Sequence, residues 1–207
     1  MKTRFKKLEK SDRLRNLQET FNPTSWKVGQ GDWLIRGKQR IIDEVNALDP
    51  DLVIDAGCAR NVLKGKIKNL VGFDIVDFPN ADFVSSIQDA KFEDESADVV
   101  LALGSVQFGS KKDVYEDVAK LVSWVKPGGR LVFRARTDPN SVPDWAKNLR
   151  RRYNSGIQYW WTKDDINFLS EKHNLSIIGG PHIKEVPCGK ENEYTTLMLF
   201  WKWQKNL

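Results

Sequence analysis

Two cysteines, two histidines and two methionines in 207 residues leave little for thiol or metal chemistry. Cys58 and Cys188 cannot build a disulfide framework. No cysteine–histidine spacing suggests zinc, so no metal is expected. Cys58 falls in the turn after the first strand and reads as a small packing residue. Such sparse cysteine fits a reducing, cytoplasmic compartment. His173, near a helix end, and His182, in a loop after Pro181, read as structural or solvated. No apolar run approaches the roughly 18 residues that a bilayer span needs. The charged N-terminus lacks the apolar stretch of a secretion signal, and no membrane contact is expected. Internal repeats and low-complexity tracts are also missing.

What is present suits one domain with a full core: 40% hydrophobic and 29% charged residues. The net charge of +5 is local. Residues 1–15 hold Lys2, Arg4, Lys6, Lys7, Lys10, Arg13 and Arg15 against Glu9 and Asp12, and the rest of the chain balances. Such an arm can meet nucleic acid, an acidic surface or a protein subunit, or remain a solvated helix face. Phe5, Leu8, Leu14, Leu17 and Phe21 make it amphipathic.

Periodicity divides the remainder. Trp33, Leu34, Ile41, Ile42, Val45 and Leu48 recur at helical spacing and stop before Asp49-Pro50. Strands are expected at 52–54, 71–74, about 82–85, 98–103 and 130–134. Ser110 and Asp113 form a capping box ahead of a stripe running from Val114 to Val125. Pro127-Gly128-Gly129 reads as the turn that follows. Residues 137–160 read as a long polar connection containing Arg150-Arg151-Arg152. Thr162 and Asp165 cap a helix to about His173. A strand at 175–178 follows. The last strand, 195–203, is apolar on both faces and should lie inside the sheet.

Four strings carry the chemistry: Asp51-Leu-Val-Ile-Asp-Ala-Gly57, Val71-Gly-Phe-Asp74, Ala97-Asp-Val-Val-Leu-Ala-Leu-Gly-Ser105 and Val125-Lys-Pro-Gly-Gly-Arg-Leu-Val-Phe133. The first three are apolar runs ending in polar or glycine turns. They read as parallel strands whose C-terminal ends meet along the edge where open α/β sheets bind ligands. The set resembles the class I S-adenosylmethionine-dependent methyltransferases, over about residues 33–203. The broad small-molecule (type 11-like) group is the nearest in pattern. Short chains of this kind are also carried by bacteriophages, which would make a virion location and an infection role conceivable.

The resemblance implies an α/β, Rossmann-like sheet of seven strands, mostly parallel, ordered 3-2-1-4-5-7-6, with the last strand antiparallel. It implies a basic arm and lid at 1–32 and a methyltransferase-like domain at 33–207, with Trp26 and Trp33, on either side of that boundary, as candidate lid residues. The cofactor it implies is S-adenosylmethionine. Its candidate contacts are Asp55, Gly57, Ala59, Asn61, Asp74, Ser86, Ile87, Leu103 and Ser105. Asp55 and Gly57 match the acidic-x-Gly-x-Gly-x-Gly loop, while Ala59 and Asn61 replace its later glycines. Asparagine tolerates the left-handed conformation that glycine would supply. The connection to the second strand is short and holds a helix of only a turn or two. Asp74, 17 residues after Gly57, is placed to accept ribose hydroxyls; its plainer reading is a surface turn. Ser86 or Asp89 stands where the family has an acidic adenine contact, and Ile87 would cover the adenine face. Leu103 to Phe108 follows the fourth strand and faces the methyl group.

No D/N-P-P-aromatic string and no Pro-Cys pair occurs there, so the amino-methylating and cytosine-C5 classes of DNA enzyme are not matched. No catalytic base is nominated. Arg134 and Arg136 end the fifth strand near the site. Three functions stay open: methyl transfer to an unidentified acceptor, with a small molecule as one candidate; a scaffold or assembly protein, oligomers included, that keeps the fold without turnover; and a nucleic-acid methyltransferase using the arm and Arg150–Arg152 for phosphates.

Overall fold

Eleven elements are defined in a computed structural model that describes residues 10–21, 38–137, 159–188 and 194–207. The strands are β1 (Val53–Ala56), β2 (Leu70–Asp74), β3 (Phe83–Val84), β4 (Ala97–Leu103), β5 (Val125–Arg136), β6 (Leu175–Cys188) and β7 (Tyr194–Lys205). The helices are α1 (Lys10–Thr20), α2 (Gln39–Asn46), α3 (Lys111–Trp124) and α4 (Lys163–Lys172). The strands make one sheet ordered β3-β2-β1-β4-β5-β7-β6. β1 to β5 pair in parallel, and β7 runs antiparallel between β5 and β6. This is the topology expected from the sequence.

Each strand's apolar residues split between two layers by the period of two. Ile54 and Ala56 of β1 join Val100, Ala102 and the α3 stripe of Val114, Val118 and Leu121 on one face. Val53 of β1 joins Leu101, Leu103, Ile42 and Val45 on the other. β7 sits inside because it is apolar on both sides: Met198, Leu199, Trp201 and Trp203 are all buried. Trp201 stacks on Phe133 of β5 at 4.7 Å, and Trp161 lies 5.1 Å from Trp201. The Trp203 indole N–H donates to Ser170 Oγ at 2.7 Å, so its polar edge is satisfied within the core.

Both capping boxes form. Asp113 N–H donates to Ser110 Oγ at 3.3 Å, and Ser110 N–H to the Asp113 carboxylate at 2.7 Å. Asp165 N–H donates to Thr162 Oγ1 at 3.2 Å, and Thr162 N–H to the Asp165 carboxylate at 2.9 Å. These bonds satisfy backbone donors that a helix start leaves open.

Three expectations are corrected. Pro127-Gly128-Gly129 is not a turn ahead of β5 but an irregularity inside it. The pairing moves from Ala97–Val125 to Val99–Arg130, so five positions of β5 oppose two of β4. Gly128 absorbs the extra chain at φ +80. Second, the β1–β2 connection holds no helix; Asn61, Lys64 and Lys66 close successive turns by backbone bonds three residues long. Third, His182 belongs to β6, opposite Phe200, and not to a loop. Within the span expected as helix from Trp33, the described part is Gln39–Asn46. Trp26, Trp33, Phe5, Leu8 and Arg150–Arg152 lie outside the described residues. Among the described residues, no helix is long and apolar enough to cross a membrane.

Candidate cofactor site at the sheet edge

The C-terminal ends of β1, β2 and β4 deliver Gly57, Asp74 and Leu103 to one edge, because the three strands are parallel neighbours. The loop after β1 is tied to β2. Gly57 and Cys58 N–H both donate to Phe73 O, at 2.9 and 3.0 Å. The chain then passes through Gly57 at φ +75, Ala59 at φ +50 and Asn61 at φ +45. These are the three positions of the glycine pattern. The left-handed path is kept although only the first is glycine.

Asp74 is the hub. Its carboxylate accepts from Ala59 N–H at 2.8 Å and Val76 N–H at 3.1 Å. The side chain is buried, which raises its pKa against the lowering effect of those bonds. A carboxylate has about four acceptor sites. Capacity therefore remains for a hydroxyl, which a surface-turn aspartate would not need to hold so rigidly.

Asn61 is buried and fills the space that glycine would leave open. Its Nδ2 donates to Asn80 O at 2.8 Å. A β-carbon on Gly72 of β2 would lie 2.6 Å from that Nδ2, so Gly72 makes room for Asn61. Among the described residues, no hydrogen-bond donor reaches the buried Asn61 Oδ1. A buried acceptor of this kind has room for one more donor.

Beneath the loop, Asp55 is buried and its pKa is pushed up to about 6. Burial is the main cause; Asp74 adds to it, while Lys38 and Arg134 oppose it. Lys38 is lowered, mainly by burial, with Asp55 holding it up. Arg134 donates from Nη2 to Leu103 O at 2.6 Å, next to Gly104 at φ +117. Ser105 Oγ donates to Ala56 O at 2.5 Å, closing β4's turn onto β1. The Cys58 thiol is pushed up by burial and by Asp55 and Asp74, as suits a packing role.

Ser86 and Asp89, left as alternatives by the sequence, are joined: Ser86 Oγ donates to Asp89 at 2.6 Å. Ile87 is half-buried against the core, and Gln88 turns away to Asp117 on α3 at 2.9 Å. Ala59 and Asp74 are bonded directly, and Gly57, Asn61 and Ser105 are held at the same edge by bonds to Phe73, Asn80 and Ala56; Ser86 and Ile87 stand one loop further along. Sequence reasoning missed Lys38, Gln88 and Asp117. Asp117 had a signal, an acid three residues after Val114 and four before Leu121, on the buried stripe.

An open cavity of about 640 Å³ lies between α3 and α4, lined by Lys111, Tyr115, Tyr159, Trp160, Asp165 and Phe168. Tyr159 N–H donates to Gln107 O at 2.7 Å, which fixes this wall to the turn after β4. Asp165 holds the cavity floor by accepting from Tyr115 and Tyr159 hydroxyls at 2.7 and 2.8 Å.

No protein-family model matches the chain, and comparison with curated proteins finds no match. Solved structures do match. A 1,6-didemethyltoxoflavin-N1-methyltransferase of Burkholderia thailandensis, bound to its substrate and S-adenosylhomocysteine, covers 97% of this chain and 92% of its own at 14% identity, TM-score 0.67. The magnesium protoporphyrin IX methyltransferase of Synechocystis, with the same bound product, covers 94% of this chain and 100% of its own at 16% identity, TM-score 0.61. The N-methyltransferase NodS of Bradyrhizobium japonicum, in complex with S-adenosylhomocysteine, covers 93% and 98% at 13% identity, TM-score 0.61. The chain has the class I methyltransferase fold. At these identities the likeness is one of fold, and function has to be argued from the site.

Proposed function

We propose that this methyltransferase-fold chain binds S-adenosylmethionine and transfers its methyl group to an acceptor. The observation that carries the reading is the Ala59 N–H to Asp74 bond. It fuses the loop after β1 and the acid after β2 into one rigid ligand edge with acceptor capacity left over.

In this reading Asp74 accepts a ribose hydroxyl, and Ser86 and Ile87 flank the adenine. Gly57, Ala59 and Asn61 line the methionine end, with Asn61 Oδ1 taking a donor. Asp55, between Lys38 and Arg134, sets the charge beneath that end. Leu103 and Ser105 form the wall beneath the methyl position. When bound, S-adenosylmethionine supplies a methyl carbon on a positively charged sulfur, which an acceptor lone pair displaces in line while the C–S electron pair returns to sulfur. The protein's task is positioning, which can supply most of such a rate enhancement. A site without a nominated base is sufficient for an acceptor lone pair that attacks unaided and releases any proton to water afterwards. The aromatic-walled cavity behind Tyr159 is the acceptor surface we favour, since its wall is bonded to the turn after β4.

Incubation of the protein with methyl-labelled S-adenosylmethionine and the small-molecule fraction of a cell extract tests turnover. Label should enter that fraction. Binding of cofactor with no label transferred to small molecules, protein or nucleic acid would overturn the transfer reading and favour the scaffold.

A further inference from the structure

The helix α1 lies in the basic arm, and one side of it packs on the domain while Arg15, Gln18 and Glu19 stay exposed. Leu17 is buried, and Phe21 packs edge-on against Phe108 at 4.9 Å. Arg13 donates to Phe108 O from Nε at 2.9 Å and Nη2 at 2.6 Å, and its Nη2 also reaches Asp117 at 2.6 Å. Gln18 donates to Ile75 O at 3.1 Å. Ile75 follows Asp74, and Phe108 lies three residues after Ser105. Gln18 and Arg13 are five residues apart, a rise of roughly 7.5 Å. The ends of β2 and β4 are two strand spacings apart, about 10 Å, with β1 between them. α1 therefore bridges the segments that follow β2 and β4, the two neighbours of β1 in the sheet.

The seat of Arg13 is built, not incidental. Gly109 has φ +126, and a β-carbon there would lie 2.8 Å from Arg13 Nε. Asp117 is buried at 3% exposure, and its other oxygen accepts from Gln88, the residue after Ile87. Burial raises the Asp117 pKa, opposed by Arg13 and Gln88. Parting Arg13 from Asp117 leaves a buried carboxylate without its counter-charge, so the two separate at a cost.

We propose that Asp117 is a positioning residue that latches α1, through Arg13, over the cofactor crevice, and that couples this closure to the adenosine loop through Gln88. Cofactor exchange then requires Arg13 to leave Asp117. A closed crevice excludes water and fixes the methyl donor. The proposal rests on the cofactor reading given above.

Stopped-flow binding of S-adenosylhomocysteine, paired with hydrogen exchange of residues 10–21, tests it. Asp117→Asn keeps size and an acceptor for Gln88; Phe21→Ala loosens α1 without stripping Asp117. Both should speed amide exchange across α1 about tenfold or more. Both should raise association and dissociation rates together by about tenfold, with Kd changed less than about threefold. Arg13→Lys should lie between them and the natural chain. Unchanged rates in variants that bind, or unchanged protection of α1, overturn the latch. Absence of binding in the natural chain and every variant overturns the cofactor reading and the latch with it, a different outcome from binding with unaltered rates.

Discussion

Gly57 and Ser105 touch so closely that a β-carbon on Gly57 would lie 2.2 Å from Ser105 Cβ. Gly57 also has φ +75. Both facts require glycine: the left-handed path costs an L-residue, and the gap between the β1 and β4 turns holds no methyl. Gly57→Ala should destabilise the protein by about 3 kcal/mol, combining strain and overpacking. Chemical denaturation reads this. Adding Ser105→Gly should restore part of the loss, because it removes the clash and leaves the strain. Equal stability of Gly57→Ala and the natural chain would mean that the two turns do not meet.

Asp55 gives a pH signature. Its folded pKa is raised from 3.8 to about 6. The folded state then holds its proton more tightly than the unfolded one. Ionising Asp55 costs nothing below about pH 4, costs increasingly between pH 4 and 6, and costs fully above. The shift corresponds to about 3 kcal/mol. The stability of Asp55→Asn relative to the natural chain should therefore improve as pH rises from 4 to 7, and level off beyond. A difference that stays constant with pH would place Asp55 in the ordinary carboxylate range.

Asp74 separates binding from folding. Asp74→Ala should weaken S-adenosylhomocysteine binding roughly tenfold to a hundredfold, the worth of charge-assisted bonds. It also strips Ala59 N–H and Val76 N–H of their acceptor, so a lower melting temperature is expected. Asp74→Asn keeps one acceptor and should recover most of the stability but less of the affinity. Calorimetric titration beside thermal melts distinguishes the two. Affinity unaltered in Asp74→Ala removes Asp74 from the site.

Ala59 carries backbone strain. At φ +50, alanine costs about 1 kcal/mol. Ala59→Gly relieves this but frees the unfolded chain, so net stability should change by less than about 1 kcal/mol. Ala59→Val, β-branched in the same conformation, should lose about 2 kcal/mol or more. Cofactor affinity of Ala59→Gly should be unchanged or tighter. A Val variant as stable as the natural chain would show that the loop relaxes to negative φ.

The fold was legible because its signals are local and periodic. Alternation from Leu197 to Trp203 placed β7 inside the sheet, and Ser110 and Thr162 announced α3 and α4. Pro127-Gly128-Gly129 misled because turn chemistry and a strand irregularity use the same residues; only the β4 partner at Val99 tells them apart. The β1–β2 connection lost its helix because Asn61 spends its side chain on Asn80 and its backbone on a turn. The strand ends of the site were legible from spacing. The pairings of Arg13 and Gln88 with Asp117 were not, since the partners lie 104 and 29 residues apart in the chain.

The measurement that bears most directly on the central claim is calorimetric titration of the full chain with S-adenosylmethionine and S-adenosylhomocysteine. Both should bind at one site per chain with a Kd below about 1 mM. Asp74→Ala should weaken both, while a surface change such as Lys112→Ala leaves them alone. If neither the natural chain nor Ala59→Gly takes up either molecule at millimolar concentration, the crevice is not a cofactor site and the chain keeps the fold for another use.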